Sequence, residues 1–163
     1  MTHKGQILVG EHEANYLIKM VGDVRVTLCT SLNQYISTIF KRDSVDSVLI
    51  DLREAEGLDS TTLGLLAKLA LHSKRKYGIV PLLFCTNEGI LKTLNVMALA
   101  ELFDIVSSAN ADEIPLSELP CNPDEERARL DVLEAHKLLI EINPGCEAEF
   151  LDLLSYLEDK ASI

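Results

Sequence analysis

The stretch "SVDSVLIDLREAEGLDSTTLGLLAKLALHSKRKYGIVPLLFC", residues 44–85, sets two short apolar runs on either side of a helical pattern. Few folds accept that order. Val45–Leu52 is short and β-branched and reads as a strand buried on both faces, and "IVPLLFC" reads the same way. The segment between them predicts a helix over about 59–76, with Lys74, Arg75 and Lys76 in its last turn and Gly78 as the C-cap. Upstream, "QILVGEHEANYLIKMVG" predicts strands at about 6–12 and 15–21 around an Ala14-Asn15 turn. Apolar residues at 28, 32, 35, 36, 39 and 40 have helical spacing. A helix at about 87–101 and a last strand in "FDIVSSA" complete the series. The order ββαβαβαβ with short connections implies an α/β fold: a mixed sheet with helices packed against it.

From Ile114 the character changes. "IPLSELPCNPDEE" holds three prolines and reads as a linker. Asn122 is placed to cap a helix with Pro123 at its first position and acids in its first turn, and Pro144 should stop that helix at Asn143. A second helix follows, with Phe150, Leu153, Leu154 and Leu157 on one face. The expected division is a main domain at residues 1–116 and an acidic C-terminal helical hairpin at 117–163. The hairpin's apolar faces must bury against the main domain or against a second copy in a homodimer.

Charge separates the two parts. Residues 1–111 carry 12 acids and 11 bases, whereas residues 112–163 carry 14 acids and 4 bases, so nearly all of the net charge of -11 belongs to the tail. Nucleic-acid phosphates need a basic face, and no such face is written here. The longest apolar run, "LGLLAKLAL", contains Lys68 and falls short of the roughly 20 residues that cross a bilayer, so no membrane insertion is expected. The N-terminus has no secretory pattern. Cys29, Cys85, Cys121 and Cys146 form no C-x-x-C pair, which argues against a zinc or redox site. The expectation is a cytoplasmic protein with no metal or cofactor.

The residues "GLDSTTLG" put an acid, a serine and two threonines at the mouth of the 59–76 helix. Such side chains are favoured N-caps, so capping alone accounts for them. Together with the element order, however, "VLIDLREAEGLDSTTLGLLAKL" resembles the STAS family of sulphate-transporter and anti-sigma-factor-antagonist domains. The family pattern is a buried strand, a short loop and D-S-[ST]-G-[LI]-G-x-L opening a helix. Here it falls on Asp59-Ser60-Thr61-Thr62-Leu63-Gly64-Leu65-Leu66, and the turn after the second strand on Gly22-Asp23-Val24. Thr62 replaces the usual glycine, and Arg25 replaces an acid or small polar residue.

The resemblance implies a bacterial partner switch in transcription regulation. Unmodified Ser60 would permit binding to an anti-sigma factor or serine kinase; phosphorylation by that kinase would release it, and a PPM-type phosphatase would reset it. Asp23, Val24, Asp59, Thr61, Thr62, Leu63, Leu65 and Leu69 are the implied partner-binding positions. Leu63, Leu66, Ala67 and Ala70 form the core stripe of the helix, leaving Leu65 off it and Leu69 at its edge, where exposed leucines would serve docking unless they lie under the tail hairpin or are merely scattered surface leucines.

Three other readings use the same residues. Catalysis at Ser60 would need His3, His12, His72 or His136 to converge on it, and Ser60 lies in no G-x-S-x-G elbow, so no catalytic residue is expected. A receiver would use Asp51 as phosphoacceptor, yet only Glu11 and Glu13 stand where its acidic pair should, and no lysine follows the last strand. A constitutive, non-phosphorylated accessory subunit of a membrane transport complex would keep the fold and use the Ser60 hydroxyl only as a cap.

Overall fold

The computed structural model describes residues 4–108, 114–121, 124–148, 150 and 155. Strand β1 (Gln6–His12) turns through Glu13 and Ala14, both at positive φ, into β2 (Asn15–Val24). The turn is thus one residue earlier than the Ala14-Asn15 pair expected. Asn15 stabilises it from the following position, its side-chain amide donating to the carbonyls of His12 and Glu13. A 3₁₀ turn, Val26–Leu28, leads into α1 (Cys29–Phe40).

Strand β3 (Ser47–Leu58) runs six residues past the expected end. The acidic "REAEGL" stretch is strand rather than loop, because Glu54 to Leu58 pair with Val21 to Val24 across two register shifts. Glu54 and Glu56 point to water while Ala55 is buried, which is strand alternation. Helix α2 (Ser60–Tyr77) follows at once and ends at Gly78, which takes φ 68, a left-handed conformation that glycine adopts without a Cβ penalty.

Next come β4 (Leu82–Phe84), α3 (Glu88–Val96) and β5 (Asp104–Val106). Helix α3 stops short of the expected residue 101 because Ala98 sits at φ 60; a separate 3₁₀ turn covers Ala100–Leu102. In the expected linker, Ser117 and Glu118 form β6 by pairing with β1, and α4 (Glu125–Ile142) follows. Asp124 caps α4 by accepting from the Arg127 N–H at 3.1 Å, taking the place foreseen for Asn122. The helix ends at Asn143, before Pro144, as the sequence predicts.

Among the described residues six strands form one mixed sheet in the order β5-β4-β3-β2-β1-β6. The hairpin and β6 are antiparallel, and β2 through β5 are parallel. Ile18, Met20, Ile50, Leu52 and Leu83 line one face and join Leu32, Ile36 and Ile39 of α1 and Leu66 and Leu69 of α2 in one core. Helix α4 packs on α1 and α2 of the same chain, the first of the two coverings expected for the tail. The second arm of the hairpin, with Leu153, Leu154 and Leu157, lies outside the described residues. Among the described residues no helix is long and apolar enough to cross a membrane.

Candidate functional site

The parallel arrangement delivers the ends of β2 and β3 and the start of α2 to one place. Asp59 is extended and caps α2; its Oδ1 accepts from the Thr62 N–H at 2.9 Å and from Thr62 Oγ1 at 2.8 Å. The Asp59 N–H donates to the Val24 carbonyl at 3.3 Å, which ties the motif to β2. Thr62 therefore spends its hydroxyl proton on Asp59, and the buried Cys29 thiol lies 3.4 Å from that hydroxyl and 3.8 Å from the Arg25 carbonyl, the two acceptors open to its one proton. Burial pushes that thiol up to about 12, and it is inert as a nucleophile. The threonine at the glycine position thus braces the capping carboxylate of Asp59.

Asp23 stands beside this motif, paired with Arg25 Nε at 2.8 Å. Opposite it lies Gly57, where a Cβ would come within 2.9 Å of Asp23 Oδ1. Asp23, Val24, Asp59 and Ser60 are therefore brought together at one end of the sheet, and Arg25 partly neutralises the acid next to them.

Because Asp59 does the capping, the Ser60 hydroxyl is not engaged in it. The side chain is half-buried, and its Oγ lies 2.7 Å from Nε2 of His136 on α4. His136 Nδ1 lies 2.7 Å from the Val132 carbonyl, which can only accept. The proton is therefore on Nδ1, Nε2 offers a lone pair, and Ser60 donates to it. His136 is 2% exposed, with the Phe150 ring edge-on at 4.6 Å. Hence one of the four histidines does converge on Ser60, contrary to the sequence expectation. The geometry is still that of a held hydroxyl: a backbone carbonyl, not a carboxylate, stands behind the imidazole, which would leave a developing imidazolium without a counter-charge.

The contact continues along α2. One turn beyond Ser60, a Cβ on Gly64 would lie 2.6 Å from the Ala135 Cβ and 2.8 Å from its carbonyl oxygen, so only glycine admits α4 at this distance. A further turn on, Lys68 Nζ reaches Glu134 at 2.6 Å and Asn33 Oδ1 at 3.0 Å. Asp131, 4% exposed, accepts from Thr30 at 3.0 Å and Asn33 at 2.8 Å on α1. Sequence reading set His136 aside with the other histidines and did not single out Ala135 or Asp131.

Leu65 and Leu69 are both fully buried, which decides against the exposed docking leucines and for burial as the reading of these two residues. The heptad-like stripe assumed a helix with one covered side, whereas α2 packs on α1 and α4 besides the sheet. Val24, Thr61, Thr62 and Leu63 are buried as well; Asp23, Asp59 and Ser60 reach solvent in part.

Asp51 is an interior residue of β3, not its end. Its carboxylate accepts from the Arg53 N–H at 3.0 Å and from Arg53 Nη2 at 2.8 Å, and the guanidinium lies 4.4 Å above the Phe84 ring. Burial would raise this carboxyl, but the Arg53 hydrogen bonds and charge, with Lys19, hold it below its ordinary value. His72 stacks on Phe40 at 4.8 Å on α2's far end, and His12 is exposed; His3 lies outside the described residues. Among the described residues, no three His, Cys, Asp or Glu side chains converge to hold a metal ion.

A fold with β2, β3, β4 and β5 parallel, an antiparallel β1 and a capped D-S-T-T helix start defines a small α/β domain of the STAS class. Residues 6–111 match the STAS domain family, and the chain belongs to it. The fold is similar to the crystal structure of an anti-sigma factor antagonist from Mycobacterium paratuberculosis, with a TM-score of 0.54 at 20% identity. That similarity covers 64% of this chain and 87% of the other. No curated protein sequence matches the chain.

Proposed function

We propose that this chain is an anti-sigma-factor-antagonist-type partner switch controlled at Ser60. In its unmodified form it binds an anti-sigma factor or serine kinase through the surface around Asp23, Asp59 and Ser60, and phosphorylation of Ser60 releases that partner. A PPM-type phosphatase returns it to the binding form. The observation that carries this reading is the division of labour at the helix mouth: Asp59 caps α2, so the adjacent hydroxyl of Ser60, at a partly exposed rim, is not spent on the helix itself.

A phosphate there would sit at a helix N-terminus, which tolerates negative charge, so α2 need not unfold. It would stand beside Asp59 and the glutamates of β3, and the added repulsion would fall on a partner's acidic or apolar surface. One observation favours the alternative, a constitutive accessory subunit of a transport complex: His136 of the same chain already uses the Ser60 hydroxyl.

The deciding experiment is intact mass and phosphopeptide mapping of the protein purified from its source cell, with Ser60→Ala alongside. An acid-stable phosphate confined to residues 59–62 and lost in Ser60→Ala supports the switch. No phosphate under any growth condition, with partner capture unchanged by Ser60→Asp, favours the accessory role.

A further inference from the structure

We propose that α4 is a separable cover over the outer face of α2, and that a protein engaging Ser60 must displace it. The regulatory part of this proposal rests on the reading of Ser60 given above. Ser60, Gly64 and Lys68 follow one another at single-turn spacing along α2, and each is met by α4: His136 on Ser60, Ala135 on Gly64, Glu134 on Lys68. The family match ends at residue 111, before α4 begins at Glu125, so this covering is an addition to the STAS unit.

The contact is built to part. Of the eighteen residues in α4 only Asp131, Ala135, His136 and Leu139 are buried, and two of these are polar. When α4 lifts, the groups that Asp131 and His136 bind, namely Thr30, Asn33 and Ser60, can exchange them for water at little net loss. Helix α2, of the same length, buries ten residues and belongs to the core. The apolar anchors of the cover are Leu139 and, in the 3₁₀ turn Pro144–Cys146, Cys146, which join the core, with Leu138, Ile140, Ile142 and Phe150 partly buried against it.

The face beneath α4 also states what could replace it. Gly64 admits only a small residue at the crossing point, and Lys68 with Asn33 calls for an acid about one turn away. An element that takes the place of α4 must therefore bring a small residue to Gly64 and an acid to Lys68.

The chain's own cysteines read the cover. Cys121 is exposed, Cys146 is buried under the tail contact, and Cys85 is buried in the sheet domain. The full chain is pulsed with N-ethylmaleimide, and peptides are quantified by mass spectrometry for wild type, Ala135→Arg and His136→Ala. The expected result is that Cys146 labelling rises about tenfold or more in Ala135→Arg, and less in His136→Ala, while Cys85 stays at the wild-type rate. Amide exchange across 125–142 should rise with it. If Cys85 opens together with Cys146, or if Cys146 stays protected in both variants, α4 is no separable cover and the proposal falls.

The regulatory half is read in source-cell extract supplied with ATP, where Ala135→Arg should acquire phosphate at Ser60 faster than wild type. Equal rates overturn gating. No phosphate on either protein defeats the reading of Ser60 itself, and the cysteine result still decides whether α4 is a cover.

Discussion

Ser60 and His136 are 76 positions apart in sequence, yet Oγ and Nε2 stand 2.7 Å from each other, with the imidazole fixed from behind by the Val132 carbonyl. This one bond joins the helix mouth to the tail. Removing Ser60 alone leaves a buried lone pair on His136, and removing His136 alone leaves the hydroxyl to find water. A double-mutant cycle of Ser60→Ala and His136→Ala, followed by urea unfolding, should therefore give a coupling of about 1 kcal/mol. His136→Ala should be the costlier single change, at about 1–3 kcal/mol, because it also empties the space beside Phe150. A coupling near zero would mean that the two helices are held together elsewhere.

Much of the fold was legible because it rests on local periodicity. The β-branched run at 45–52, the helical spacing from Leu28 to Phe40 and the basic last turn before Gly78 each specify their own element. Misreadings arose where a distant strand or helix decides. "REAEGL" has the composition of a loop and is strand only because β2 offers it a pairing edge. Ser117 and Glu118 sit between prolines and join the sheet only because β1 leaves an edge open. The site divides in the same way. Asp59, Ser60 and Asp23 were found from a short motif, whereas His136 and Asp131 belong to it through a helix contact that no local pattern encodes.

The burial of Leu65 and Leu69 changes what substitutions there should do. Exposed leucines on a docking face could be truncated with effects within about 0.5 kcal/mol on stability. Both side chains are instead fully buried within the core cluster, so Leu65→Ala and Leu69→Ala should each cost about 2–5 kcal/mol. The check is a lower urea midpoint at unchanged m-value. Loss of partner capture in these variants would then report unfolding, and residues such as Asp23 and Asp59 are the sounder probes of the surface. An unchanged midpoint in Leu65→Ala would contradict the packing of α2 against α1 and α4.

The last prediction concerns Asp51 and Arg53, which share no surface with Ser60. Asp51 is 1% exposed, and the Arg53 guanidinium that satisfies it is held over Phe84. Burial works against the charged carboxylate, but the hydrogen bonds and positive charge of Arg53, aided by Lys19, prevail and lower its pKa from 3.8. A carboxyl depressed in the folded state stabilises the protein above its unfolded pKa, and that stabilisation is lost as pH falls through the folded value. Asp51→Asn should therefore cost about 1.5–3 kcal/mol near neutral pH, since it takes the charge from a bonded pair. Measured by urea midpoints, the gap between wild type and Asp51→Asn should stay constant between about pH 6 and 8 and narrow as pH drops below 3.8. A gap that widens in acid would show that burial, not Arg53, governs this carboxyl. Because the pair lies on the opposite side of β3 from the core, the same variant should leave Cys146 protection and Ser60 phosphorylation unaltered at neutral pH.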